Sequence, residues 1–437
     1  MDDDHVKSGR LKRLSRLAYL TARTTGDLLA SAAKRKLTGG DSSPELKKAA
    51  ERILGTLGEL KGAALKLGQA LAMDPDALPP EARGIVARLL SQAPQRMPYA
   101  RVVEVVRAEL GAPPEALFES FDPEPMAAAS LGQVHGARFE GEEVAVKVQY
   151  PGVEKALESD LANGEVFVKG FALAGESLDG RPYYDEIRAS LMRELDYRAE
   201  AEQLQAYAEA ARPFPELVVP RVVAERSARR VLTLTRLRGP NLLDAIESHP
   251  APEEAFRIAR LLILAIWGPF FAARLIHADP HPGNFVILDD GRLGVLDFGA
   301  TKRLTPRFAD VYRGFLHTLA NGKPRPHVGR ELEKAGFRFL GDDPDDGHAF
   351  CERVAEIVER PSRGEHYDFA DNSIVQDARR VFQESPRVAL TIKPPPEAIL
   401  FYRAAAGLAQ DLRLLKAAGR FRSVLQDIEA RGRLPSW

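Results

Sequence analysis

Apolar positions along the 437-residue chain change their spacing at a few definable places. Near the start, Leu11, Leu14, Leu17, Ala18 and Leu28 recur at helical spacing, and Thr38 to Pro44 (TGGDSSP) reads as a linker. From Glu45 to about Ala72, Leu54, Leu57, Leu60, Leu65 and Leu71 share one broad helical side, until Asp74 to Pro80 breaks the pattern. Further helices are expected over Glu81–Gln92 and Tyr99–Leu110. The strand signal starts near Ala127. Val134–Phe139 alternates up to a turn at Glu140, Gly141 and Glu142, and the β-branched run Val144–Val148 completes a hairpin. Helical patterns resume through Arg212, followed by an expected strand pair, Leu217–Glu225 and Val231–Leu237. After Gly239 the chain reads as mostly helical, with one short hairpin, Phe285–Leu288 and Leu293–Leu296, turning at Asp289-Asp290-Gly291.

The order of these elements predicts an α+β molecule: a small strand-rich lobe, a larger helical lobe and a helical extension before both. The expected domains are a basic arm and linker (1–43), the helical extension (44–115), the strand-rich lobe (116–238) and the helical lobe (239–437). The most apolar run, Leu261 to Ile276 (LLILAIWGPFFAARLI), is shorter than the roughly 20 residues a bilayer needs. It also carries Pro269 and Arg274, so a buried helix is expected and no transmembrane span.

Charge and cysteine content narrow the function. A formal net charge of -1 argues against a nucleic-acid protein, which would usually be strongly basic. The single cysteine, Cys351, excludes an internal disulfide and a multi-cysteine metal site. The start, Met1 to His5, is acidic and shows no secretory signal, so a cytoplasmic location is expected. Charge is nevertheless uneven: nine Lys or Arg fall between Lys7 and Lys36 against one acid, Asp27. A basic amphipathic helix of this kind can lie on an anionic membrane surface, which would make the protein peripheral; the alternative is a solvated helix or arm.

Three segments carry chemistry together: Val144-Ala145-Val146-Lys147 on a strand, Asp279-Pro280-His281-Pro282-Gly283-Asn284 after an apolar helix, and Leu296-Asp297-Phe298-Gly299 after a short hairpin. In protein kinases a strand lysine pairs the α- and β-phosphates and a loop aspartate sits near the attacking hydroxyl. An asparagine five residues on and the aspartate of Asp-Phe-Gly hold the metal ions. Asp279 and Asn284 have that spacing. Each motif alone is weak; all three in order and context are specific for a site that binds ATP or ADP with Mg²⁺. His277 and His281 flank Asp279, but two histidines do not make a metal site, and structural roles are expected for both. Trp267, Phe270 and Phe271 are expected in the core.

The departures from the kinase pattern are informative. Where a kinase has a glycine-rich loop, this chain has Ala127, Ala128, Ala129, Ser130, Leu131, Gly132, Gln133 and Val134. His277-Ala278-Asp279 replaces His-Arg-Asp, and no Ala-Pro-Glu follows Asp297. With Lys66-Leu67-Gly68-Gln69, AAASLGQVH, VAVKVQYPGV, ELDYRAEAEQL, HADPHPGN and LDFGAT, the chain resembles the UbiB family, also called the ADCK or AarF-domain family, over roughly residues 44 to 437.

The resemblance implies a bilobal protein-kinase-like fold with the helical extension folded over the cleft. It makes Lys147 the phosphate-contacting lysine, Glu200 its ion-pair partner, Asp279 the catalytic-loop aspartate, and Asn284 and Asp297 the metal ligands. Lys66 and Gln69, which share a helix face, would meet the Glu-x-Asp pair Glu194 and Asp196. Ala127, Ala128, Ala129, Ser130, Gly132 and Gln133 would form the nucleotide loop. Alanines restrict positive φ and stiffen such a loop, which should alter nucleotide preference and slow γ-phosphoryl transfer. The function implied is that of an atypical kinase or ATPase supporting isoprenoid-quinone or related lipid metabolism, with quinone-like lipid or quinone-biosynthesis proteins as partners. The alternatives are a nucleotide-gated lipid-binding or chaperone-like protein, or a true kinase of a small molecule or protein.

Overall fold

The computed structural model describes residues 96–432, apart from 130, 156, 159–160 and 162–180. The basic arm, the linker, the helices expected over Glu45–Ala72 and Glu81–Gln92, and Lys66, Gln69 and Ser130 lie outside the described residues.

The chain divides into two compact units. The first comprises Met1–Pro98, Ala127–Gln133 and Gln149–Phe167. Within it the Gln133 side chain is buried and exchanges two hydrogen bonds with the Met97 backbone, accepting from its N–H at 2.9 Å and donating to its carbonyl at 3.2 Å. Tyr150 N–H donates to the Leu131 carbonyl at 2.9 Å. Leu131, Leu157 and Leu161 are buried.

The second unit comprises Tyr99–Met126, Val134–Val148 and Val168–Trp437. It opens with helix α1 (Tyr99–Leu110), whose Val102, Val105 and Val106 recur at helical spacing and are buried. Strands β1 (Ser120–Ala129), β2 (Gly132–Phe139), β3 (Glu142–Gln149) and, further along the chain, Val231–Thr235 form one sheet in the order β1, β2, β3, Val231–Thr235. The β2–β3 turn has Glu140 at φ 50 and Gly141 at φ 77, consistent with the type I′ geometry that matches strand twist. Helix α2 (Arg181–Arg193) precedes α3 (Tyr197–Ala211), which Asp196 caps by accepting the Arg198 N–H at 3.0 Å.

The expected strand pair Leu217–Glu225 and Val231–Leu237 is only partly realised. Strand β4 is Leu217–Val218 and pairs in parallel with Leu293–Gly294. Pro220 lacks an N–H, and beyond it a single bridge joins Val222 to Leu234 before a 3₁₀ turn over Ala224–Arg226. Strand β5 (Val231–Thr235) instead pairs with β3, with Lys147 opposite Leu232.

Helix α4 (Pro252–Ala273) starts with Pro252 and two acids, Glu253 and Glu254, and ends at Arg274, whose φ of 55 is left-handed. It is longer than the sequence suggested. By length and composition it could cross a membrane, but 72% of its most apolar window is buried inside the protein, as for a core helix. It contributes Ile258, Leu262, Ile266 and Phe270 to the main core, with Phe271 buried and Trp267 packed against it. Strands β6 (Leu275–His277), β7 (Phe285–Ile287), β8 (Leu293–Val295) and β9 (Thr301–Arg303) follow. β6 pairs with β9, and β7 forms the expected hairpin with β8, turning at Gly291 with φ 81. Helices α5 (Pro306–Ala320), α6 (Ala398–Leu414) and α7 (Phe421–Arg431) close the core, with Phe308, Phe401 and Phe421 buried in it.

Candidate nucleotide site

Lys147 stands on the central strand β3 with only 10% of its side chain exposed, so its ammonium has almost no water. Burying an unpaired charge would cost several kcal/mol, and the fold supplies partners. Nζ donates to Glu200 Oε1 at 2.5 Å and lies 3.5 Å from Asp297 Oδ2 and 5.4 Å from the Tyr197 ring centre. Burial opposes the charge on Lys147, but Asp297, Glu200 and Tyr197 outweigh it and hold the ammonium above its ordinary range. Burial also pushes the Glu200 carboxyl up to about 7, against the pull of Lys147. The two shifts compete for one proton. Two carboxylates around one ammonium favour the charged lysine, so we take Lys147 as protonated at neutral pH.

Glu200 reaches Lys147 because it sits one turn into α3, four residues after the capping Asp196. The helix is fixed from behind by Tyr207, which is fully buried. Pro269 has no N–H to give to the Ala265 carbonyl, so that acceptor is free within α4, and the Tyr207 hydroxyl donates to it at 2.7 Å. The same Tyr207 ring packs 5.1 Å from Phe298 and 5.8 Å from His277. Phe298 is fully buried, which fixes the peptide before it. His277 Nε2–H donates to the Asp297 carbonyl at 2.5 Å, and burial holds its imidazole below the usual histidine range, so it is neutral. Asp297 Oδ1 accepts the Gly299 N–H at 3.0 Å, leaving Oδ2 toward Lys147. A Cβ on Gly299 would come within 3.4 Å of both Asp297 Oδ1 and Glu194 Cγ, so Glu194 lies beside Asp297. Asp196 is held by the Arg198 side chain as well as by its cap.

The loop of residues 279–284 is built next to Lys147, Glu200 and Asp297. Asn284 Nδ2 donates to the Asp279 carbonyl at 2.9 Å and to Asp279 Oδ2 at 3.2 Å. The β7–β8 register sets Phe285 opposite Val295, and Leu296 N–H donates to the Asn284 carbonyl at 2.9 Å, so Asn284 and Asp297 lie on adjoining strand ends. Asp279 Oδ1 is taken by Arg403, which reaches it from α6. Nothing local flags Arg403 in the sequence: it is 124 residues from its partner and reads as one more arginine on an exposed helix face.

Lys147, Glu200, Asp297 and Glu194 thus converge, with Asp279, Asn284 and Arg403 adjoining through the β7–β8 ends. Ala127, Ala128, Ala129, Gly132 and Gln133 belong to the first unit, where Gln133 is engaged with Met97. The oxygen set suits Mg²⁺. With Nδ2 spent on Asp279, the Asn284 amide oxygen is left as an acceptor, and the Asp297 carboxylate is partly exposed. Among the described residues no group of three His, Cys, Asp or Glu could hold a metal alone, and Mg²⁺ is usually held by one or two protein oxygens plus phosphates. With a nucleotide bound, Mg²⁺ would neutralise the phosphate charge there.

Residues 88–325 match the model of the ABC1 atypical kinase-like domain. The chain is 31% identical to the rat atypical kinase COQ8B, mitochondrial, over 97% of its own length and 81% of that protein. It is 30% identical to the Caenorhabditis elegans atypical kinase coq-8, mitochondrial, over 95% of this chain and 56% of that one. It is also 36% identical to an uncharacterised chloroplastic aarF domain-containing protein kinase of Arabidopsis thaliana, over 59% of this chain and 49% of that one. The chain therefore spans about half the length of these last two relatives. A solved structure from Mycobacterium tuberculosis, a complex of Rv3197 with erythromycin, is 30% identical with a TM-score of 0.59, covering 88% of this chain and 96% of that one. The α+β fold expected from the sequence is kinase-like, and the chain belongs to the ABC1 family of atypical kinase-like proteins, the family of the COQ8, ADCK and AarF-domain proteins.

Proposed function

We propose that this protein binds Mg²⁺ with ATP or ADP and hydrolyses ATP slowly, in support of isoprenoid-quinone or related lipid metabolism. The nucleotide reading is carried by one observation: a buried lysine flanked by Glu200 and Asp297, beside an Asp279–Asn284 pair. That set supplies a fixed positive charge for phosphates and oxygen ligands for a hard cation. The lipid part rests on family membership alone.

Arg403 favours slow turnover, or a nucleotide-gated binding cycle, over rapid phosphoryl transfer. Both Asp279 oxygens are engaged, Oδ1 by Arg403 and Oδ2 by Asn284, so Asp279 is poorly placed to accept a proton from an incoming hydroxyl. The domain boundaries drawn from the sequence, and the roles of Lys66, Gln69 and the alanine-rich loop, belong to the same reading.

The test is thermal unfolding with ATP or ADP, in Mg²⁺ and in chelator. Nucleotide with Mg²⁺ is expected to raise the melting temperature, because it binds only the folded state, and chelator to abolish the rise. Asp297→Asn should lose the metal dependence. Unchanged nucleotide affinity and metal dependence in that variant would exclude the assignment.

A further inference from the structure

Helix α6 has an apolar stripe with one break in it. Phe401, Ala404, Leu408 and Leu415 recur at helical spacing and are buried in the main core. Asp411 stands at the stripe position between Leu408 and Leu415 and is as buried as they are, with 2% of its surface exposed. Its Oδ2 has no hydrogen-bond partner. Buried carboxylates are ordinarily paired or hydrogen-bonded, because an ionised group with neither water nor a donor is costly. Asp411 also falls in the last turn of α6, where the carbonyls of the helix end oppose a negative charge.

Among the described residues no counter-ion reaches it. The charged groups on the elements packed against α6 are engaged elsewhere. On α4, Arg257 is with Glu254, and Arg260 is with Glu216 and Asp427. On β6, neutral His277 donates to the Asp297 carbonyl. Arg274, at the end of α4, and Arg313 of α5 are with Asp310, and His317 of α5 is with Glu429. On α6 itself Arg403 goes to Asp279 and Arg413 to Gln410. Burial alone pushes the Asp411 carboxyl from the usual aspartate value of 3.8 up to about 8. It is therefore protonated at neutral pH.

Arg403 lies eight residues before Asp411 on the same helix, about 12 Å along its axis, and holds Asp279 Oδ1. We propose that α6 is a pH-responsive latch: the proton on Asp411 keeps the helix docked, and its loss loosens the helix and with it the grip of Arg403 on Asp279. At a pH below 3.8 the docked and the open helix are both protonated and the group has no effect. From there to about pH 8 only the open helix sheds the proton, so docking weakens about tenfold per pH unit. Above that both forms are ionised and the dependence ends. Neutral pH lies on the slope, so small changes there shift the latch. The latch stands without the nucleotide reading; only its consequence for Asp279 as a proton acceptor draws on that reading.

The test is backbone amide exchange of the full chain, followed by mass spectrometry from about pH 5.5 to 9, a range that spans the slope and the level region above it. Wild type and Asp411→Asn are compared at each pH, so the intrinsic pH dependence of exchange cancels. The asparagine keeps the shape and cannot ionise. Opening of residues 398–414 in wild type, relative to the variant, should rise about tenfold per pH unit up to about pH 8 and then level off. Asp411→Leu should give the same result and serves as the neutral reference if the asparagine variant does not fold. A ratio that stays constant with pH would overturn the latch. So would a response confined to residues 411–415 that spares the peptide bearing Arg403. Failure of both neutral variants to fold would overturn it as well, because a protonated carboxyl is itself neutral. A wild type that shows the response but binds no nucleotide would leave the latch standing and remove the nucleotide reading.

Discussion

At the residue scale, the charged groups of the site constrain one another. Lys147 and Asp279 are each held by partners distant in sequence: Glu200 and Asp297 for the first, Arg403 for the second. The Arg403–Asp279 pair is 21% and 19% exposed, between a surface pair worth little and a buried pair whose rupture is costly. Arg403→Gln should therefore destabilise the fold by about 1–3 kcal/mol, read by denaturant unfolding. It should also free Asp279 Oδ1 to accept a proton from the attacking oxygen and raise the rate of γ-phosphate release. An unchanged rate together with unchanged stability would show that the contact has neither role. Residues whose chemistry depends on local spacing were readable in the sequence: Asp279 and Asn284 stand five apart, and Lys147 lies within the β-branched run Val144–Val148. Arg403 was not, because a partner brought 124 residues round by the fold leaves no local period.

At the element scale, the same contrast separates the strands. The β2–β3 and β7–β8 hairpins were legible because alternation and a glycine-containing turn are both local. Strand β1 begins at Ser120, well before the signal near Ala127, because Pro123 and Pro125 mask it; it is an edge strand of its sheet, where proline is tolerated. The parallel pairing of β4 with β8 joins residues some 76 positions apart and could not be read locally. Helix α4 shows how one residue couples elements. Pro269 frees the Ala265 carbonyl, Tyr207 fills it, and Tyr207 then supports both α3 and Phe298. Tyr207→Phe should leave that buried carbonyl unpaired and cost about 1–3 kcal/mol. In a Pro269→Ala background the helix can donate its own N–H to Ala265, so the same substitution should cost less. Equal costs in both backgrounds, from urea unfolding, would show that the hydroxyl does not compensate the proline.

At the scale of the whole molecule, the proposed lipid role raises the question of how a protein of net charge -1 would reach a membrane. The described residues offer one helix of sufficient length and apolarity, α4, and its window is mostly buried in the core. Withdrawing it to enter a bilayer would expose Leu262, Ile266, Phe270 and their neighbours and unfold the helical lobe. The remaining candidate in the sequence is the segment from Lys7 to Lys36, with nine basic residues and one acid, which lies outside the described residues. Each Lys or Arg near an anionic surface contributes about 1 kcal/mol at low salt, an attraction that decays within a Debye length of about 8 Å at 0.15 M. Nine such charges against one acid give this segment +8 where the rest of the chain sums to -9 (-1 minus +8), so binding through it is electrostatic and therefore salt-sensitive, with Leu11, Leu14 and Leu17 adding a modest apolar term. Sedimentation with anionic vesicles should then fall steeply between roughly 0.05 and 0.5 M salt. It should be weak on neutral vesicles, and deletion of residues 1–43 should remove most of it. Hydrolysis measured in the same tubes should be stimulated by anionic vesicles only while the protein sediments with them. Equal sedimentation on neutral vesicles, indifferent to salt, would show that attachment is apolar and comes from another surface of the molecule.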